Sequence, residues 1–146
     1  GMFTSFDINA SGMTAQRFRM DIISENVANA NTTRTSDGTP YVRKVVTFTQ
    51  KDNQTPFHRV LNEATDRYSG KGVKIDGVYE DTKTEMNMVY DPSHPDADEN
   101  GYVSYPNVNI ITEMTNLIDA SRSYEANATA FNASKTIAMQ GLNLGK

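Results

Sequence analysis

The chain has 146 residues, a net charge of −4 and 37% hydrophobic residues, which is one ordinary domain by length. Leucine, isoleucine, valine and phenylalanine together make only about 19% of it, at the edge where a chain struggles to bury enough apolar surface alone, so part of the core is expected to come from other copies or other partners. The absence of cysteine excludes a disulfide framework, a thiolate metal site and a cysteine nucleophile. No run of 18 apolar residues exists to span a membrane, and a pI near 5.1 with scattered basic residues argues against nucleic acid as a partner.

Texture divides the sequence into a helix-like segment over 2–33, a β-rich insert over 34–106 that holds all five prolines, and a second helix-like segment over 107–146. The fold class read from this order is α+β: long N- and C-terminal helices pairing as a coiled-coil-like bundle, with a small β-rich insert between them. Gly1 before Met2 reads as a tag remnant, and the N-terminus lacks the basic-then-apolar layout of a cleaved signal.

In the first segment Phe6, Met13, Met20 and Val27 are spaced by seven, and Ile23 and Ala30 follow the last two by three. This is a helical stripe with a heptad-like repeat, with polar Gln16, Arg17 and Arg19 off it. Gly12 weakens a helix by about 1 kcal/mol relative to alanine, so the spacing predicts a helix over 13–30.

The middle reads as strands and turns. Asp37-Gly38-Thr39-Pro40 is a turn signal, followed by the β-branched and aromatic run Tyr41 to Phe48. Residues 51–70 are polar and carry little pattern. Val73-Lys74-Ile75-Asp76 alternates with period two, Val78 to Glu80 extends it past Gly77, and Met86 to Tyr90 and Tyr102 to Tyr105 are further short strands. So little apolar content makes a small sheet or hairpin rather than a sandwich.

Between Pro106 and Gly141 lie 34 residues without glycine or proline, a predicted helix of about 50 Å. Ile110, Met114, Leu117, Ser121, Tyr124, Ala128 and Phe131 alternate steps of four and three along it, the pattern of a coiled-coil seam. Small residues such as Ala120, Ala126, Ala128, Ala130 and Ala133 permit close helix approach. The helix is too long for the modest insert to cover, so its face is expected to pack against other molecules. The candidate assembly residues are therefore Met13, Met20, Ile23, Val27, Asn29, Asn31, Ile110, Met114, Leu117, Ser121, Tyr124, Ala128 and Phe131.

No catalytic, cofactor or metal residues are assigned, and no small-molecule substrate. Asp96-Ala97-Asp98-Glu99-Asn100-Gly101 fits the first half of a calcium loop, but the twelfth position, which needs a bidentate carboxylate, is Asn107; an acidic surface turn is the simpler reading. His58 and His94 share no ligand spacing with another residue. There is no G-x-S-x-G, phosphate-cradling glycine loop or H-E-x-x-H. Asparagine is frequent near the helices, at Asn26, Asn29, Asn31, Asn107, Asn109, Asn116, Asn127 and Asn132. It is a poor mid-helix residue that can cap an end, fix register in a bundle or simply face solvent.

Glu25-Asn26-Val27-Ala28-Asn29-Ala30-Asn31-Thr32 resembles the N-terminal signature of the bacterial flagellar rod, hook and hook-associated proteins, N-N-[IL]-A-N-[AS]-N-T, departing at Glu25 and conservatively at Val27. Ser121-Arg122-Ser123-Tyr124-Glu125-Ala126-Asn127 resembles the matching C-terminal signature. The short length, Val89-Tyr90-Asp91-Pro92, His94-Pro95, Asn100-Gly101-Tyr102-Val103, Pro106-Asn107-Val108-Asn109 and the ending Leu142 to Lys146 are similar to the proximal rod members, whereas 51–71 match weakly and read as a variable surface excursion. The resemblance implies a structural subunit of the rod crossing the periplasm, exported through the flagellar type III apparatus without signal cleavage. It implies partners among other rod proteins, copies of itself, and basal-body ring and export-gate-adjacent components. It also implies terminal helices paired in the innermost layer, with the insert outward. A coiled-coil adaptor without a flagellar role would explain the heptads but not the paired signatures. A calcium-binding module would rest on Asp96, Asp98 and Asn100 alone. Because one seam cannot offset the backbone entropy of ordering two long termini, about 1–2 kcal/mol per residue, the ends are expected to be frayed in the dilute monomer and to become helical on assembly.

Overall fold

The computed structural model describes residues 2–50 and 72–144. In chain order it contains α1 (Met2–Ala28), β1 (Lys44–Gln50), β2 (Val73–Glu80), β3 (Asn87–Tyr90), β4 (Tyr102–Tyr105) and α2 (Ile110–Leu144). This is the α+β order expected from texture, a helix at each end and short strands between. The polar stretch 51–71, with His58, lies outside the described residues.

Both helices run further than their glycines predict. α1 continues through Gly12 back to Met2 and ends at Ala28, two residues short of the predicted end. The glycine is there for proximity: a Cβ at residue 12 would come within 2.8 Å of Oδ1 of Asn127 on α2, so the missing side chain lets the two helices meet. α2 passes through Gly141 to Leu144. One glycine costs a helix about 1 kcal/mol and does not end it unless the chain turns there. At the start of α2, the side-chain carbonyl of Asn109 accepts the N–H of Thr112 at 3.2 Å, an N-cap placed just after Pro106.

The strands form two two-stranded sheets, β1 with β2 and β3 with β4. β2 is a single strand through Gly77, with Val73 and Ile75 half-buried and Lys74 and Asp76 exposed between them, the alternation of a half-covered strand. β3 and β4 are antiparallel, pairing Asn87 with Tyr105, Met88 with Ser104, Val89 with Val103 and Tyr90 with Tyr102. The turn at Asp37-Gly38 is closed by Thr35 and Thr39, and Gly38 takes a φ of 78°, which favours glycine.

Contacts group the chain into two units, and each helix contributes to both. Among the described residues the first comprises 2–18, 48–50, 72–76 and 120–144. In it Ala15 and Ala120 are buried, Gly12 meets Asn127, and the Ser11 hydroxyl accepts the N–H of Val73 at 3.0 Å. The second comprises 19–47 and 77–119. Its buried apolar residues are Ile23, Ala30, Tyr41, Val103 and Val108, and with them are buried the polar Asn26, Asn107 and Glu113.

Candidate assembly interface

The second unit is fastened by a polar clasp joining the end of α1, the segment leading into β1, the turn after β2 and the start of α2. Asn26 is 1% exposed. Its carbonyl accepts the Tyr41 hydroxyl at 2.7 Å and the Lys44 N–H at 2.9 Å, while its amide donates to the Lys44 carbonyl at 2.8 Å and to Oε2 of Glu113 at 3.4 Å. The Arg43 guanidinium donates to Oε1 of Glu113 and, at 3.0 Å, to Oδ2 of Asp81. Asn107 completes the set: its carbonyl accepts the Arg43 N–H at 2.8 Å, and its amide donates to the carbonyls of Asp81 at 2.8 Å and Thr84 at 3.0 Å.

Such a cluster is stable only if its members are satisfied together. Burial works against the Arg43 charge, but the bonds to Glu113 and Asp81 outweigh it and hold the guanidinium protonated beyond its ordinary range. The Thr84 hydroxyl and N–H foremost, then the Lys83 N–H and Arg43, bring the Asp81 carboxyl down to about 2. Burial, then the negative charges of Glu25, Glu113 and Glu80, pushes the Tyr41 hydroxyl upward. At Glu25, where the sequence departs from the usual asparagine, the carboxylate pairs with Lys44 at 2.6 Å, and the same ammonium lies 5.8 Å from the Tyr41 ring centre.

The amide-rich signature thus has several jobs. Asn26 is a buried tie within this chain. Asn29 closes the end of α1, donating to the Glu25 carbonyl at 2.9 Å and accepting from the Thr32 hydroxyl at 3.1 Å. Asn31 is exposed. On α2, the Asn127 amide donates to the Ser123 carbonyl at 2.9 Å.

Most of the other sequence-selected positions lie at the margins of the buried faces. Met13, Met20 and Val27 are half-buried and Ile23 is buried. The face of α1 turned inward runs through Gly12, Ala15, Ile23 and Asn26, largely beside the stripe read from the heptads. On α2 the corresponding line is Glu113, Ala120 and Asn127. Leu117, Ser121, Tyr124, Ala128 and Phe131 are half-buried along its edge, and Ile110 and Met114 are exposed. No residue from 121 to 144 is buried, and Ile137, Met139, Leu142 and Leu144 are each more than half exposed. Sequence reading did not single out Arg43, Asp81 or Glu113. The one available signal was a carboxylate at residue 113, set among seam positions of an otherwise apolar helix face.

The acidic loop is held by its own neighbours. Asp96 accepts the Thr33 hydroxyl at 2.7 Å and pairs with Arg34 at 2.6 Å, and these partners, Thr33 first, lower its carboxyl. Asp98 accepts the N–H groups of Asn100 and Tyr102. His94 accepts the Asp96 N–H at 3.0 Å, in a turn.

The terminal helices around a β-rich insert are the arrangement that the resemblance implied, and the comparisons show the family. Residues 6–34 match the family model for the flagella basal body rod protein, and residues 99–144 match that for the flagellar basal body rod FlgEFG protein C-terminal. Over 143 residues the chain is 42% identical to the flagellar basal-body rod protein FlgC of Borreliella burgdorferi, covering 94% of this chain and 93% of the relative. It is 43% identical to that of Bacillus subtilis, covering 99% and 98%, and 38% identical to that of Salmonella typhimurium, covering 97% and 96%. The chain belongs to the FlgC family of flagellar basal-body rod proteins. It is a structural subunit of the basal-body rod, not an enzyme.

Proposed function

We propose that this subunit transmits torque by completing its terminal-helix faces against neighbouring rod subunits, with the clasp keeping the insert in register with both helices. The reading is carried by α2. Its last 24 described residues, 121–144, contain no buried residue, yet Ile137, Met139, Leu142 and Leu144 stand exposed along them. A soluble chain leaves such an apolar stretch open when something else covers it. The proposed covering face comprises Met13, Met20, Val27, Asn29, Asn31, Ile110, Met114, Leu117, Ser121, Tyr124, Ala128 and Phe131; Ile23, already buried within the chain, is left out of it. Its partners are other rod proteins, copies of this chain, and components of the basal-body ring and export gate. The location that follows is the periplasmic rod, reached without a cleaved signal peptide. No described helix is long and apolar enough to cross a membrane.

The test is motility. Met114→Asp and Phe131→Asp place a charge on the proposed face. Each is expected to abolish swimming in a strain whose only copy carries it, while the purified protein keeps the circular dichroism of the parent. Normal swimming by both strains would contradict the proposal.

A further inference from the structure

At the start of α2, Ile110 and Ile111 form one wall of a groove of about 490 Å³, completed by Thr84, Glu85, Asn87, Asn107, Val108 and Asn109. Ile111 is 80% exposed at its rim, and Glu85 and Asn87 are also exposed. Residues 77–119 carry nine carboxylates against Lys83 and His94; Asp81, Asp96 and Glu113 are paired with arginines, and Glu85 is the one that lines the groove. The far end of α2 has the opposite character. Residues 126–146 contain no acid and two lysines. Within them Lys135, Met139 and Leu142 follow each other at four and three residues, so they share one helix face, and all three are exposed.

A helical assembly needs two different, complementary patches on each subunit, because a patch that only matches itself closes a dimer. α2 supplies such a pair, an apolar groove with the single carboxylate Glu85 in its lining at one end and an apolar stripe led by Lys135 at the other, on a helix of about 50 Å. We infer that the groove receives the Lys135–Met139–Leu142 stripe of a second copy of this chain. Met139 and Leu142 would lie against Ile110 and Ile111, with the Lys135 ammonium toward Glu85. The inference deepens the assembly reading and rests on it: it names which two surfaces of adjacent copies meet, and in a head-to-tail sense.

The absence of cysteine makes the test simple. Two full-length variants, Ile111→Cys and Leu142→Cys, are mixed in equal amounts and oxidised. Both positions are well exposed, so neither change disturbs the interior. The inference expects the mixed disulfide to exceed either like-with-like disulfide by about tenfold, because docking raises the local concentration of the matched thiols. Adding Glu85→Lys to the first variant, or Lys135→Glu to the second, lowers that excess, and adding both restores it. A statistical product mixture, or an excess that ignores the charge reversals, overturns the inference. Recovery of the unsubstituted chain in purified basal bodies together with a statistical mixture removes this contact and leaves the rod reading standing. Absence of the chain from basal bodies removes both.

Discussion

Gly12 on α1 lies so close to Asn127 on α2 that a methyl group at residue 12 would stand 2.8 Å from Oδ1 and 2.9 Å from Cγ. The helix therefore gives up the better helix former to bring the two backbones together. In isolation, Gly→Ala within a helix gains about 1 kcal/mol. Here the new methyl must displace an amide already bonded to the Ser123 carbonyl, and overpacking of this kind costs about 1–3 kcal/mol. Gly12→Ala is expected to lower stability in urea unfolding. In an Asn127→Ala background, which clears the space, the same change is expected to raise it by about 0.5–1 kcal/mol. Identical effects in the two backgrounds would mean the contact does not constrain residue 12.

Glu113 is 1% exposed and bonded to both Arg43 and Asn26. Removing one member of a buried pair leaves the other charge uncompensated, at about 3–5 kcal/mol. Arg43 keeps Asp81 as a partner and is itself 24% exposed, which puts Glu113→Ala toward the lower end, at about 3 kcal/mol. Arg43→Met combined with Glu113→Leu is expected to recover most of the loss, since an apolar pair of similar volume needs no compensation. Chemical denaturation of the parent, Arg43→Met, Glu113→Leu and the double variant gives the coupling directly.

Asn26→Asp changes only an amide to a carboxylate, but it removes both donations, to the Lys44 carbonyl and to Glu113, and sets a second negative charge against Glu113. The variant is expected to be less stable at neutral pH than Asn26→Ala, which loses the bonds without adding the charge. The thermal midpoints of the two variants decide this. The opposite ranking would show that the acceptor bonds from Tyr41 and Lys44 alone hold the site.

The Asp81 carboxyl, at about 2 against an ordinary 3.8, makes stability depend on pH in a defined window. With the folded value depressed, the unfolded chain binds the proton first as pH falls. The stabilisation is thus fully present above about 4 and is lost between about 4 and 2. Compared with Asp81→Asn, the native protein is expected to show an advantage at pH 6 that shrinks through this interval and vanishes below it. An advantage independent of pH would assign the role of Asp81 to shape rather than charge.

The helices and strands were legible because their periods are local. The four-three spacing from Ile110 to Phe131 marks α2, and the alternation of Val73 to Asp76 marks β2. The orientation of the helices was less so. The face of α2 turned inward passes through Glu113, a residue that burial penalises unless a cation meets it, and that cation comes from Arg43, 70 residues earlier. Nothing near residue 113 announces the partner. Gly12 misled for a related reason, since its purpose lies in Asn127 at the other end of the chain. Asn26 stood out within a family signature, but its place in the interior became clear only from the four bonds around it.

The central claim is that the open part of α2 is covered when the subunit takes its place in the rod. Ile137 is 64% exposed in the single chain, and a cysteine placed there would be the protein's only thiol. The direct measurement is maleimide labelling of the Ile137→Cys variant, first as dilute free protein and then in intact basal bodies purified from swimming cells. The account predicts rapid labelling of the free chain and strong protection in the basal body. Equally rapid labelling in both would contradict it.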